Sequence, residues 1–276
     1  MRPGCCSTES AHNRAILARW LLSQRTAHAQ PAPGAWEPAT ARDKLCRMTS
    51  HLPIELEQTE LWLLAEKAIY WPAQQALLIA DIHFGKAAAY RRLGQPVPHG
   101  TTQANLQRLD ALLARYPCKQ LIFLGDFLHA PESQTPATLD QLHDWRASHA
   151  ELTITLIRGN HDRRAGDPPT SLGMNVVPEP LLLGPFALQH EADPHPSHHV
   201  LAGHLHPAFR LNGRGRQNLR LPCFCIGDRL SLLPAFGSFT GTMTVTAEDR
   251  WQIYVVGDGE VWPLKRSAPI RPGICP

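Results

Sequence analysis

Apolar residues fall in short blocks along this chain, and most blocks stop at a polar or glycine-led cluster. Residues 61–69, with Trp71, read as one strand closed by Pro72. Residues 76–80, 121–124 and 152–157 are compact apolar runs of the kind that form strands buried on both faces. Two helical periods separate them. Residues 101–116 set Leu106, Leu109, Leu112 and Leu113 on one face, with Thr101 or Thr102 as N-cap. Residues 135–149 open with Pro136 at the first helical position and bury Leu139, Leu142 and Trp145. After His161 the helical period fades. Residues 181–188, 200–202, 219–226, 238–245 and 251–256 read as strands between Gly/Pro turns. A β-α-β-α-β front half leading into a β-rich back half predicts an α/β (α+β) fold. Two mixed sheets pack face to face and helices flank them, giving a four-layer αββα sandwich.

Composition narrows the class. With 276 residues, 43% hydrophobic and 18% charged, the chain can bury a sizeable core. No apolar stretch approaches the roughly 20 residues of a membrane helix, so no membrane partner is expected. The seven cysteines are scattered without a CxxC pair, which suggests neither a disulfide framework nor a cysteine zinc site and makes a reducing cytoplasm the default. The formal charge of +3 misleads. Residues 1–47 hold seven basic against three acidic side chains, leaving twenty against twenty-one in the remainder. Net charge therefore gives no support for nucleic-acid binding. Residues 1–50 lack a strand pattern and are expected to be a disordered extension, with Met48 a candidate for the natural start. Arg19 and Arg25 break the apolar piece there, against a signal peptide. A domain is expected over 51–265 and a loose, proline-bearing tail over 266–276.

Chemistry gathers where the apolar runs end. Asp81-Ile82-His83, Gly125-Asp126, Gly159-Asn160-His161-Asp162, a lone His190 and Gly203-His204-Leu205-His206 follow one another in that order. In a parallel sheet such residues converge at the carboxyl ends of the strands. Asp81 and His83 are alternate residues and would share a face at the end of an extended strand, as would His204 and His206. Gly125 lets Asp126 approach closely. Taken singly, an Asp after a strand is usually a cap and a lone His a hydrogen-bonded core residue. The ordered set is a metal site with an imidazole to spare. Its hard carboxylates, amide oxygen and imidazoles suit manganese first, with iron or zinc also possible. His99, His143, His149, His195, His198 and His199 take the bland reading.

Order and spacing of these motifs resemble the calcineurin-like metallophosphoesterase superfamily over roughly residues 80–206. The resemblance implies that Asp81, His83 and His206 hold one divalent ion and Asn160, His190 and His204 a second, with Asp126 bridging both. It implies hydrolysis of a phosphoric ester by a hydroxide held between the two metals, with His161 as general acid at the leaving oxygen. Asp162 would orient a neighbour or cap the following turn. His129, in Gly125-Asp126-Phe127-Leu128-His129, matches a histidine of nucleases in the superfamily and is a further catalytic candidate. Residues 79–86, 125–130, 158–164 and 221–224 are similar to the bacterial ligase-associated DNA-damage-response phosphoesterases, the PdeM family. That likeness implies a DNA endonuclease or phosphodiesterase in repair, associated functionally with a DNA ligase and a helicase.

Local basic clusters lend modest support. Lys86, Arg163 and Arg164 are candidate substrate contacts, beside Arg91 and Arg92; Arg210, Arg214, Arg216 and Arg220 decorate a Gly-rich turn. Two other functions fit the same residues: a phosphatase or phosphodiesterase of small or cyclic nucleotides, and a non-catalytic metal-stabilised scaffold for ligase or helicase. The complete ligand set and His161 argue against the scaffold.

Overall fold

The computed structural model describes residues 51–97, 100–212, 218–238, 240–246 and 251–264. The extension and the tail read from the sequence lie outside the described residues, as do His99, Arg214 and Arg216. Seven strands make the first sheet in chain order: β1 (His51–Leu56), β2 (Thr59–Leu64), β3 (Ile69–Trp71), β4 (Ala76–Ile79), β5 (Gln120–Leu124), β6 (Thr153–Ile157) and β7 (Asn175–Val177). The pairs from β1 to β4 are antiparallel and those from β4 to β7 parallel. The single strand expected over 61–71 is two, β2 and β3. They are joined by a turn in which Leu64 N donates to Ala68 O at 2.9 Å and Lys67 adopts φ 69°. No Gly, Pro or Asn announces that turn, so the apolar pattern ran across it.

Four α-helices lie among the described residues: α1 (Lys86–Arg92), α2 (Thr101–Arg115), α3 (Pro136–Ser148) and α4 (Asn160–Ala165). At α3 the sequence reading holds in detail, since the Thr135 hydroxyl accepts from Thr138 N at 3.2 Å and Pro136 follows. At α2 the N-cap is Gly100, φ 84°, rather than a threonine. A residue with positive φ turns the chain into the helix, and the threonines then occupy its first turn.

Strand alternation divides the core. On β4, Leu77 and Ile79 pack with Leu109 and Leu112 of α2, while Ala76 and Leu78 face the second sheet. On β5, Leu121 and Phe123 take the helix side and Ile122 and Leu124 the sheet side. The second sheet contains β8 (Leu181–Leu183), β9 (Phe186–Gln189), β10 (His199–Ala202), β11 (Pro207–Asn212), β12 (Asn218–Ile226), β13 (Leu230–Leu232), β14 (Met243–Val245), β15 (Gln252–Gly257) and β16 (Glu260–Pro263). Its order is β14-β11-β12-β13-β10-β9-β8, with β15 beside β12 and β16 beside β15. Phe186, Leu188, Leu201 and Phe224 press onto the first sheet, each fully buried and worth about 1.5–3 kcal/mol of transfer free energy. The outer face of this sheet carries a third apolar cluster, including Val200, Cys223 and Val255. Among the described residues no α-helix follows α4, and Leu205, Phe209, Trp251 and Trp262 pack against this cluster. Two mixed sheets face to face, with helices against the first, form the α/β sandwich expected.

β9 and β10 are parallel neighbours, as are β4, β5 and β6. Five strands thus open at their carboxyl ends where β4 and β5 of one sheet meet β9 and β10 of the other.

Candidate metal centre

Each expected ligand sits just beyond one of those strand ends. β4 stops at Ile79, before Asp81 and His83; β5 stops at Leu124, before Asp126; β6 leads to Asn160 at the start of α4. β9 stops at Gln189, before His190, and β10 at Ala202, before His204 and His206. The alternation expected of an extended strand does not bring Asp81 and His83 together. Asp81 (φ 55°), His83 (49°), Asp126 (52°), His204 (65°) and His206 (49°) all adopt the left-handed region. Non-glycine residues enter that region at a cost of about 1 kcal/mol or more apiece, and such strain concentrates at functional sites. These residues lie two to four positions past the ends of β4, β5 and β10, so the chain has left the extended strand before the ligands are presented.

The seven side chains then meet. Asp81 Oδ1 lies 3.3 Å from His206 Nε2, and Asp81 Oδ2 accepts from His204 N at 2.9 Å. Asp126 occupies the middle: its Oδ2 is 3.7 Å from His83 Nε2, and its Oδ1 is 3.4 Å from His190 Nε2. Asn160 Oδ1 is 2.8 Å and His204 Nδ1 is 3.0 Å from that same His190 nitrogen. Two groups, Asp81-His83-His206 and Asp126-His190-His204, each bring their donor atoms within 4.8 Å of one another.

The donor set fits divalent ions. Asp81 Oδ1, both ring nitrogens of His83 and His206 Nε2 are buried without a hydrogen-bond partner among the described residues, which native interiors avoid unless another species satisfies them. His190 Nδ1 faces the Leu124 carbonyl at 3.1 Å and so carries the ring proton. With Nδ1 donating there, Nε2 is left as an acceptor 2.8 Å from Asn160 Oδ1, an arrangement that a shared cation satisfies. His206 Nδ1 likewise donates to Gly241 O at 2.8 Å, turning Nε2 inward. Burial holds His83 well below the ordinary histidine range, which favours the neutral ligand form. Burial also pushes Asp126 up to about 6, against the pull of His190 and with the like charge of Asp81 adding to it. Burial is the first cause of both shifts, so the pocket is poorly solvated, keeping the imidazole neutral and leaving the carboxylate in want of a counter-charge.

Beside this pocket, His161 Nδ1 donates to His129 O at 2.6 Å, and its Nε2 lies 4.0 Å from Asp126 Oδ2. The His161 ring stacks on His129 (centroids 4.7 Å apart), and His129 stacks on Tyr90 of α1 (5.6 Å). Burial, with Lys86 and His161 adding, pushes His129 down to about 4, so it stands as a neutral plate between them. Asp162 is fully buried and accepts from Leu128 N and Gly159 N, each at 3.0 Å, binding two of the motif loops together. Lys86 is half-buried, within electrostatic reach of Asp126 and Asp81. Arg164 is exposed, whereas Arg163 donates to Glu179 Oε1 at 2.8 Å. His143, His149 and His199 bond elsewhere, to Ser171, Trp145 O and Ser231. Sequence reasoning passed over Tyr90, Glu179 and Glu191; only the adjacency of Glu191 to His190 could have drawn notice.

Residues 75–183 match the family model of calcineurin-like phosphoesterases. The crystal structure of Pseudomonas putida nuclease MPE is 56% identical, the match covering 78% of this chain and 100% of that one, with a TM-score of 0.70. The chain belongs to the calcineurin-like phosphoesterase family. No curated protein matches it. As a calcineurin-like phosphoesterase it is a hydrolase acting on phosphoric ester bonds, and its family binds divalent metals. The family model spans Asp81, His83, Asp126, Asn160 and His161; His190, His204 and His206 follow it in the second sheet. No helix among the described residues is long and apolar enough to cross a membrane.

Proposed function

We propose that this calcineurin-like phosphoesterase is a nuclease that hydrolyses phosphodiester bonds in DNA, using two divalent ions, manganese before iron or zinc. The observation that carries the reading is the convergence of seven side chains from five strand ends around Asp126, several with buried atoms that no group among the described residues satisfies. Asp81, His83 and His206 would hold one ion, Asn160, His190 and His204 the other, and Asp126 both. Bound there, two divalent ions supply Lewis acidity toward the phosphoryl oxygens and a water acidic enough to ionise near neutral pH.

The remaining work falls to the chain. His161 is fixed by its Nδ1–H···O bond to His129, so Nε2 is the atom that passes a proton to the departing oxygen. The ring stack of Tyr90, His129 and His161 holds that imidazole in plane. His129 supports the acid rather than acting as one, since its environment keeps it neutral. Lys86 and Arg164 are free to meet phosphate oxygens, while Arg163 is engaged with Glu179. A nucleic-acid substrate is supported by the likeness to a protein described as a nuclease. The setting in cytoplasmic DNA repair beside a ligase and a helicase rests on the motif resemblance alone.

The test is a metal-screened panel: bis-p-nitrophenyl phosphate, single-stranded and duplex DNA, RNA, mononucleotides and cyclic nucleotides. Manganese-dependent release of p-nitrophenol together with DNA cutting is expected. Intact DNA beside brisk turnover of mononucleotides would assign the site to small substrates instead.

A further inference from the structure

The imidazoles around Asp126 are not held alike. The outer nitrogens of His190 and His206 each face a backbone carbonyl, Leu124 O and Gly241 O. His204 turns Nδ1 toward His190, and its outer Nε2 meets a side chain, Glu191 Oε2, at 3.5 Å. Glu191 is itself seated by another carboxylate. Glu179 Oε2 accepts from the backbone N–H of both His190 (2.8 Å) and Glu191 (3.0 Å), and Glu179 Oε1 accepts from Arg163 of α4. Since α4 begins with Asn160, this relay ties together Asn160, His190 and His204, three residues from three chain segments. Asp81, His83 and His206 have no part in it.

We infer that Glu191, seated by Glu179, is a positioning residue for His204 and so sets metal affinity at the Asn160-His190-His204 position alone. A carboxylate 3.5 Å from Nε2 favours the His204 tautomer protonated there, which leaves Nδ1 with its lone pair toward the pocket. A carboxylate behind a ligating imidazole also strengthens the ligand, and its removal typically lowers metal affinity by about 10–100-fold. A carbonyl, as behind His206, orients without adding charge. The inference rests on the reading above that His204 is a ligand.

Calorimetric titration of the full chain with Mn²⁺, each variant checked for an unchanged melting transition, tests it. Two Mn²⁺ equivalents are expected for the parent protein. E191Q should weaken one of them by about 10–100-fold and leave the other within about threefold, with E191D recovering part of the loss. E179Q, which keeps an oxygen acceptor but drops the charge facing Arg163, should act in the same direction and less strongly. H204A should remove that equivalent. Unchanged binding in E191Q beside a lost equivalent in H204A would overturn the role of Glu191 and spare the ligand reading. Unchanged binding in H204A would overturn both, and an equal fall in both equivalents in E191Q would overturn the selectivity claimed here.

Discussion

The two sheets supply the same pocket by different routes. In the first, β4, β5 and β6 run parallel, are almost wholly apolar, and deliver Asp81-His83, Asp126 and Asn160-His161 through helical crossovers. In the second, β9 and β10 are also parallel, but the link between them is a Pro- and His-rich loop with no helix. What they share is a ligand just past the carboxyl end of a parallel strand, with a left-handed residue after β4, β5 and β10 though not after β6 or β9. The crossover helix is therefore dispensable to the device. Each sheet also makes room for the other's ligand: a Cβ at Gly125 would run into the His190 ring, and one at Gly203 would lie 2.6 Å from Asp81 Oδ2. The site is a seam rather than a property of either sheet.

Asp126 gives the sharpest way to break that comparison, because it comes from the first sheet and faces His83 of its own side and His190 of the other. Asp126→Ala should abolish tight binding of both Mn²⁺ equivalents and lower turnover on the order of 10⁴-fold, the scale seen when one member of a catalytic unit is lost. Retention of one tight equivalent would show the two sheets to hold their ions independently.

His161→Ala should keep both equivalents and lose about 10²–10⁴-fold in turnover, the usual share of a positioned acid. The loss should be larger on esters with poor leaving groups than on bis-p-nitrophenyl phosphate, which departs with little help. Equal losses on both would remove His161 from proton transfer.

Gly125→Ala and Gly203→Ala probe the seam from its two sides. Gly125 adds a φ of 77° to its crowding, whereas Gly203 is crowded without that constraint. Roughly 2–4 kcal/mol of destabilisation is expected for the first and about 1–3 for the second, in denaturant unfolding. A neutral Gly203→Ala would mean that the second sheet can shift away from Asp81 at no cost.

The same contrast explains what the sequence could reveal. β4, β5 and β6 were legible because their buried stretches form compact apolar runs, even with Gln120 opening β5 and two threonines in β6, and α3 because Thr135 and Pro136 announce it. α1 was missed: seven residues with three alanines and a Gly85 cap carry no amphipathic period. β1, β7, β11, β13 and β16 were missed and the strand expected over 181–188 is two, β8 and β9; β7 and β13, at three residues each, alternate too few times to stand out. The seven candidate ligands were legible as an ordered set, but the left-handed backbone of five of them, Asp81, His83, Asp126, His204 and His206, was not, since no local sequence signal fixes that region for a non-glycine residue. Glu179 and Glu191 stayed hidden because their partners are backbone amides and a histidine far along the chain.

The smallest effect expected lies behind the seam, where the turn between β2 and β3 reaches the segment after β13. Lys67 Nζ donates to Gly237 O at 3.3 Å, while Phe236 N and Gly237 N bond the carbonyls of Ala80 and Asp81. Burial, with the nearby Arg108 adding, pushes Lys67 down to about 7. Between about pH 7 and 10.5 the folded chain therefore binds fewer protons at this residue than the unfolded one, and unfolding free energy rises with pH across that window. Below it the folded state carries the whole penalty of a charged, poorly solvated lysine. Lys67→Met deletes the titration, so parent and variant should diverge in denaturant midpoint as pH climbs from 7 to 9.5, the parent gaining more. Parallel pH profiles would show that Lys67 stays solvated and that the packing of this loop on the end of β4 does not depend on its charge.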